Sequence, residues 1–365
     1  MRGSRIAACM SVMLVFAACS SAQSTSTRSS SSYETLAIRY RGTPVSWYGA
    51  SMVYYPPAKE IVHFGGTDGA GHGLGGTWVF NRFGWKQLHP AASPSARSQY
   101  AMAYDPKLGE IILYGGCTYC GAPGYRLVQD TWAFNGTTWH ELRSQHLPTY
   151  EPSPLLAWDP ATSALELLAP PPGWGPSPPN GDFNSNGGVF GRWVWGTSGW
   201  HWDGTTPGPP LLFVQASAFV PKPGSTGMLF FSYQPYSGTC PVTSPPVKHE
   251  CGWDPTGLTY SQTWTWNGSV FSKEHPKRAP TSSQAVVADP HVGRVIAVAG
   301  SRVWDWTGAT WHAMPSKVPS LGDVIAAYDP AIGDVIVWGM QTTGPHPRPV
   351  TWAWNGKGPI VIQTH

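Results

Sequence analysis

The sequence predicts an all-β protein, and both its composition and the order of its residues support this fold class. Gly and Pro, which resist helix formation, occur 42 and 37 times in 365 residues, and Trp occurs 20 times. Short apolar runs separated by turn sequences recur along the chain. Charged residues make up 12% of the chain and the net charge is +3. A coiled coil, a helical bundle, a long disordered chain and an electrostatic binder of nucleic acid are therefore not expected.

The first residues have the pattern of an export signal. Two Arg lie among the first five residues, and residues 6–18 are apolar and uncharged but too short for a permanent transmembrane helix. Phe16-Ala17-Ala18-Cys19 resembles a bacterial lipobox, which implies lipidation of Cys19; an ordinary cleaved signal is the alternative. We predict a signal peptide (1–18), a lipidated Cys with a Ser/Thr-rich tether (19–35), and one globular domain (36–365). The protein is then exported and held at the cell membrane or outer membrane by its lipid alone.

Four cysteines follow the leader, in two local pairs within loops rich in Gly, Pro and Ser. They are Cys117, Cys120, Cys240 and Cys251. An exported protein favours disulfides, and proximity in sequence favours Cys117–Cys120 and Cys240–Cys251. A zinc site built from all four thiolates is the alternative.

The clearest copy of the repeat lies between residues 101 and 142. Asp105-Pro106 predicts a β-turn and Asn135-Gly136 a two-residue hairpin. These turns separate four predicted strands, which we name a, b, c and d: Ala101–Tyr104, Glu110–Tyr114, Asp130–Phe134 and Thr138–Leu142.

The same unit recurs six times. The a-to-b turn has Pro at 56, 106, 160, 221, 290 and 330, and strand c carries Trp78, Trp132, Trp193, Trp264, Trp304 and Trp352. Seven residues later come Trp85, Trp139, Trp200, Phe271 and Trp311, and Pro359 in the last copy. Four-stranded sheets packed radially bury each other's faces, so the repeats predict a six-bladed β-propeller of four-stranded antiparallel blades. We interpret the aromatic residues as packing between blades; an aromatic ladder for sugars is the alternative.

The repeat resembles the Kelch-type propellers, which are related to the central domain of galactose oxidase. Gly65-Gly66 and Gly115-Gly116 match the Kelch di-glycine after strand b, and the Trp-x6-Trp spacing matches the paired aromatics of the family. The resemblance covers roughly residues 42–362. It implies the propeller fold, but the copper ligands of galactose oxidase have no counterpart that can be placed here, so no cofactor and no metal are expected.

The loops between strands b and c vary most in length. They are longest in the third and fourth units, at residues 171–192 and 234–263, and such loops are where propellers recognise partners. Their aromatic residues predict a ligand-binding rim that includes Tyr125, Trp174, Tyr236 and Trp253. The alternative is that these side chains only pack within their own loops.

Residues just before strand a should reach the mouth of the central channel. Aligning the units on their turns places Arg97, Gln99, Glu151 and Asp323 there, and we predict a polar ligand-binding cluster. Ion pairs between blades are the alternative. His63 on strand b is interpreted as a core residue, and His72 in a Gly-rich loop as a surface residue.

No familiar catalytic motif occurs in the chain. We predict a monomeric, non-enzymatic protein of the cell envelope whose loops bind a glycan or an envelope protein. A sugar-active enzyme is the alternative, because the resemblance extends to the sialic acid mutarotases, in which Arg97 and Glu151 would supply polar groups. A polysaccharide lyase or oxidase is a further alternative.

Overall fold

The computed structural model describes ten stretches of the chain. They are residues 42–120, 126–148, 154–169, 189–207, 219–221, 227–234, 260–280, 285–290, 293–341 and 347–362. Within them, antiparallel strands form six four-stranded sheets and one two-stranded ribbon. In these same stretches, no helix is long and apolar enough to cross a membrane.

The strands follow one another in chain order. The first sheet contains β1 (Ser51–Tyr55), β2 (Glu60–Phe64), β3 (Thr77–Asn81) and β4 (Gly84–Leu88). The second contains β5 (Ala101–Asp105), β6 (Glu110–Tyr114), β9 (Thr131–Phe134) and β10 (Trp139–Leu142), and the ribbon contains β7 (Cys117–Tyr119) and β8 (Arg126–Leu127). The third contains β11 (Leu155–Asp159), β12 (Ala164–Ala169), β13 (Val189–Gly196) and β14 (Gly199–Pro207).

The remaining sheets repeat this order. The fourth contains β15 (Phe219–Pro221), β16 (Met228–Gln234), β17 (Tyr260–Trp266) and β18 (Phe271–Glu274). The fifth contains β19 (Ala285–Asp289), β20 (Arg294–Ala299), β21 (Arg302–Trp306) and β22 (Trp311–Lys317). The sixth contains β23 (Val324–Asp329), β24 (Asp334–Gln341), β25 (Arg348–Trp354) and β26 (Pro359–Ile362).

The first strand of each sheet lies on the inside of a closed ring. β1 contacts β5, β5 contacts β11, and the series continues through β15, β19 and β23 back to β1. This arrangement is a β-propeller of four-stranded antiparallel sheets, and it confirms that part of the prediction. Five of the sheets have inner strands of five or six residues, whereas β15 of the fourth sheet has only three. The structure therefore shows five regular blades, and a sixth blade depends on this less regular sheet.

The turn chemistry explains why the strands end where they do. The Asp105 carboxylate accepts a hydrogen bond from the Lys107 backbone N–H at 2.8 Å, which closes the predicted a-to-b turn. Asp159 and Asp329 close the equivalent turns in the same way. At the c-to-d hairpin, Asn135 caps its own turn and Gly136 adopts φ +95°, a conformation that disfavours residues with a Cβ.

Neighbouring sheets are joined by a repeated hydrogen bond between Trp and Thr. The indole N–H of Trp139 on β10 donates to Thr77 Oγ1 on β3 of the preceding sheet at 3.0 Å, and both side chains are buried. The same bond joins Trp85 to Thr351, Trp200 to Thr131, and Trp311 to Thr263. The Thr always directly precedes the strand-c Trp. The strand-d Trp residues therefore lie between blades, as predicted.

The two junctions without this bond lack both of its partners. In the fourth sheet Phe271 takes the place of the strand-d Trp, and the facing position in the third sheet is Arg192 instead of Thr. At the junction of the fifth and sixth sheets the corresponding residues are Pro359 of the sixth sheet and Val303 of the fifth. The Arg192 guanidinium lies 5.9 Å from the centre of the Trp266 ring, so a cation–π contact links the third and fourth sheets instead.

A buried histidine occupies the junction between the sixth and first sheets. The His63 ring lies 5.2 Å from the Trp338 ring and 5.8 Å from the Trp85 ring, measured between centroids, and is 1% exposed. Neither ring nitrogen has a hydrogen-bond partner among the described residues. Burial disfavours the charged imidazolium and lowers the pKa of His63 to about 3.

We predict that Thr77→Val destabilises the protein by about 1–3 kcal/mol, because the buried Trp139 N–H loses its acceptor. Urea unfolding measures this cost. In a Trp139→Phe background no N–H remains to be satisfied, so the same substitution should cost less. Equal costs in the two backgrounds would show that the hydrogen bond contributes nothing.

We predict that His63 makes the fold sensitive to acid. Between pH 6.5 and about 3 the unfolded chain binds a proton at His63 and the native protein does not, so stability is full above pH 6.5 and falls below it. By pH 5 this loss reaches about 2 kcal/mol. His63→Leu, which introduces the residue found at the equivalent positions 113 and 167, should remove that part of the pH dependence. Parallel stability–pH curves for the two proteins would contradict the prediction.

Candidate functional site

One end of the ring carries the segments that enter the inner strands and the loops between strands b and c. We call this end the loop face. The di-glycines allow its two kinds of segment to lie directly against each other. The Gly66 N–H donates to the Arg97 carbonyl at 3.0 Å, and a Cβ on Gly66 would lie only 1.8 Å from Ser46 Oγ. A Cβ on Gly116 would lie 2.6 Å from the Ser98 carbonyl oxygen, so both glycines are required by close approach.

Arg97 is fully buried beneath this face. Its guanidinium forms a fork with the Asp130 carboxylate, with Nη2 donating to Oδ2 at 2.8 Å. Its other N–H groups donate to the Gly115 and Ser95 carbonyls and to Ser95 Oγ. Burial alone would raise the pKa of Asp130, but the hydrogen bonds and charge of Arg97 lower it below its usual value. Arg97 thus supports the loops, and no ion pair in the described structure joins it to Asp323.

Gln99 and Asp323 are connected by hydrogen bonds to the backbone of Gly49, which lies between them. The Gly49 N–H donates to Asp323 Oδ2 at 2.8 Å, and the Gly49 carbonyl accepts from the Gln99 N–H at 2.8 Å. These residues lead into β23, β1 and β5, so one chain of hydrogen bonds connects three adjacent inner strands. We call this group the mouth relay. Gln99 adopts φ +55°, a conformation unusual for a residue with a side chain.

Asp323 is the titratable group of the mouth relay. Its side chain keeps some contact with solvent but is crowded by protein atoms. This loss of hydration raises the pKa of Asp323 to about 6, and the hydrogen bond from Gly49 offsets only part of the rise. A carboxyl group that titrates near neutral pH can take up or release a proton, which is a property of acid–base catalysts.

A second group of residues lies on the loops of the first two sheets. Residues 71–73 pair with β7, and β7 pairs with β8, forming what we call the rim ribbon. Gly73 N–H donates to the Thr118 carbonyl and Cys120 N–H to the Gly71 carbonyl, each at 2.8 Å. The ribbon therefore ties the first blade to the second.

A disulfide between Cys117 and Cys120 closes the end of β7, which confirms one of the two predicted pairs. Both cysteines are buried, and Ser98 Oγ lies 2.9 Å from Cys120 Sγ. Backbone hydrogen bonds between Ser98 and Cys117 hold this end of the rim ribbon against the segment that enters β5.

His72 stands on the rim ribbon with its orientation set by Asp68. Asp68 Oδ2 accepts from His72 Nδ1 at 2.8 Å, while Oδ1 accepts from the Ala70 and His72 backbone N–H groups. The His72 side chain is 61% exposed and that of Asp68 only 9%. The buried carboxylate favours the tautomer with its proton on Nδ1, so in the neutral ring Nε2 is an acceptor. The Tyr119 ring lies 5.3 Å from the imidazole, centroid to centroid.

The other predicted site residues lie outside the described stretches. They are Cys19, Tyr125, Glu151, Trp174, Tyr236, Cys240, Cys251 and Trp253. Sequence reasoning missed Asp68 and Asp130. An Asp four residues before a His in a Gly-rich loop was the available signal for the first. Among the described residues, no three His, Cys, Asp or Glu side chains are grouped to hold a metal ion.

Comparisons with known proteins show the fold alone. No protein-family model and no curated protein matches the chain. The structure of YjhT is similar at 12% identity with a TM-score of 0.54, and the match covers 88% of this chain and 99% of that chain. The SapL1 lectin in complex with alpha methyl fucoside is similar at 14% identity with a TM-score of 0.50, covering 88% and 97%.

Proposed function

We propose that this protein is a non-enzymatic carbohydrate-binding propeller of the cell envelope and that its loop face holds the ligand. In this proposal the chain is a six-bladed propeller of the Kelch type, with the irregular fourth sheet as its remaining blade. The predicted lipid on Cys19 and the tether at residues 19–35 hold it at the membrane.

The observation that carries the proposal is the arrangement of His72, Asp68 and Tyr119. A sugar presents hydroxyl groups around an apolar ring face, so its binding sites combine oriented polar groups with an aromatic surface. Asp68 fixes the imidazole, and Tyr119 places an aromatic ring beside it. The His72 side chain is exposed and the Tyr119 side chain is partly exposed, as a surface that contacts a ligand requires.

The rigidity of the rim ribbon supports the same function. Backbone hydrogen bonds from two blades and a disulfide fix the positions of His72 and Tyr119 before any ligand arrives. A site ordered in advance loses less conformational entropy on binding, which favours recognition of small, weakly bound ligands such as sugars. The likeness to a lectin with the same general fold is compatible with this proposal.

We predict that His72→Ala weakens glycan binding about tenfold, the effect of losing roughly one hydrogen bond to a ligand. A glycan array that includes alpha methyl fucoside identifies the ligand, and titration calorimetry of the best ligand then measures both proteins. His312→Ala, which changes an exposed histidine on β22, is the control and should bind like wild type. The proposal fails if wild type binds no glycan, or if the two variants behave alike.

A sugar-active enzyme resembling the sialic acid mutarotases is the second candidate function. It is favoured by Asp323, whose pKa of about 6 suits a group that exchanges protons at the mouth of the channel.

The second candidate predicts that the chain accelerates anomer exchange of sialic acid and that Asp323→Asn slows this about a hundredfold or more. Nuclear magnetic resonance measures the exchange rate. Asp323→Asn keeps an acceptor for the Gly49 N–H, so loss of rate without loss of stability would point to proton transfer. A wild-type rate no faster than that of buffer removes this candidate.

A further inference from the structure

Three side chains with different chemistry lie side by side across the rim ribbon. His72 is the register partner of Tyr119, and Tyr119 is in turn the register partner of Arg126 on β8. Residues directly opposite each other on antiparallel strands project from the same face of the sheet. Imidazole, phenol and guanidinium therefore form a row on one face of the ribbon. We call it the rim row.

Within the rim row, the His72 and Tyr119 side chains lie close together. The hydrogen bonds on either side of His72 and Tyr119 make them a non-hydrogen-bonded pair, the type in which side chains approach most closely. Their ring separation of 5.3 Å agrees with this. Strands lie about 4.8 Å apart, so the row spans roughly 10 Å from His72 to Arg126.

Arg126 is the cation of these loops that has no carboxylate partner within the described part of the structure. The loop residues 67–76 and 117–130 contain two acidic residues, Asp68 and Asp130. Asp68 is hydrogen-bonded to His72, and Asp130 forms the buried fork with Arg97. Arg126 is exposed, and no ion pair involves it. Within the described residues, these two loops therefore present a guanidinium without a carboxylate partner at the end of the rim row.

We infer that the rim row binds a carboxylate-bearing sugar, such as a uronate unit of an acidic polysaccharide. This inference rests on the proposed function and names its class of ligand. The planar guanidinium of Arg126 pairs with a carboxylate through two parallel hydrogen bonds. Tyr119 packs against the ring of the same sugar, and His72 Nε2 accepts a hydrogen bond from a hydroxyl group.

The composition of the row favours a carboxylate on a sugar over other anions. Nucleic acids and polyphosphates are held by several cations that neutralise successive charges. The rim row offers a single guanidinium next to an aromatic ring and a hydrogen-bond acceptor. That combination matches one negative charge on an otherwise polar and ring-shaped ligand.

The test compares an oligogalacturonate with its methyl ester, which has the same ring and hydroxyl groups but no charge. Titration calorimetry on the full chain should show that wild type binds the acid at least tenfold more tightly than the ester. Arg126→Gln should lower affinity for the acid to that for the ester and leave the ester unchanged. Arg126→Lys, which keeps the charge but loses the fork, should fall between the two. Arg302→Gln, at an exposed position on β21, is the matched control and should bind like wild type.

The outcomes separate this inference from the proposed function. Binding of neutral glycans with equal affinity for acid and ester, or an Arg126→Gln variant that still prefers the acid, overturns the inference and leaves the proposed function standing. Failure to bind any saccharide overturns both. Since Arg126 is exposed and lacks an ion-pair partner in the described structure, circular dichroism should show that its variants fold normally.

Discussion

The hydrogen bond between a strand-d Trp and a strand-c Thr is the interaction on which this ring depends. The ladder hydrogen bonds of a propeller lie within each sheet, so the faces of adjacent sheets are held together mainly by side chains. Packing of apolar surface is non-directional and does not by itself fix the angle between two sheets. A buried indole N–H does so, because it must find an acceptor in one place or lose the free energy of a hydrogen bond. Thr77 and Trp139 meet this requirement across 62 residues of sequence.

The junctions that bear the candidate sites are among those with this bond. Trp85 and Thr351 join the sixth sheet to the first, and Trp139 and Thr77 join the first to the second. The mouth relay and the rim ribbon lie above these same junctions. The bond also joins the second sheet to the third and the fourth to the fifth. Between the third and fourth sheets Arg192 replaces it, pairing with the buried Glu166 and approaching the Trp266 ring. The two junctions beneath the candidate sites therefore both have this directional contact.

Strand positions could be predicted from the sequence because they depend on local chemistry. β6 has the predicted bounds, since the Asp105-Pro106 turn precedes it and the di-glycine Gly115-Gly116 follows. The partners of buried polar groups could not be predicted, because they come from distant segments. Arg97 was expected at the channel mouth, but Asp130, 33 residues away, engages its guanidinium. In the same way Asp68 becomes important only once residues 71–73 pair with β7. The alignment of equivalent positions nevertheless located Gln99 and Asp323, because a repeated fold places equivalent residues at the same level of the channel.

The residues that build the ring and those proposed to face a ligand form separate sets. The Trp–Thr bonds, the Arg97–Asp130 fork and the disulfide are buried or partly buried, and each satisfies groups within the protein. His72 and Arg126 are exposed. Within the described structure, Asp68 is hydrogen-bonded to His72, and no carboxylate pairs with Arg126. Substitution in the second set should therefore change the ligand at little cost to stability, since exposed side chains contribute little to folding. Because β7 and β8 stay in place through backbone bonds and Cys117–Cys120, a different side chain at position 126 would meet its ligand from the same position. Under the proposed function, the propeller fixes where a sugar is held, while a few side chains on the rim ribbon determine which sugar it is.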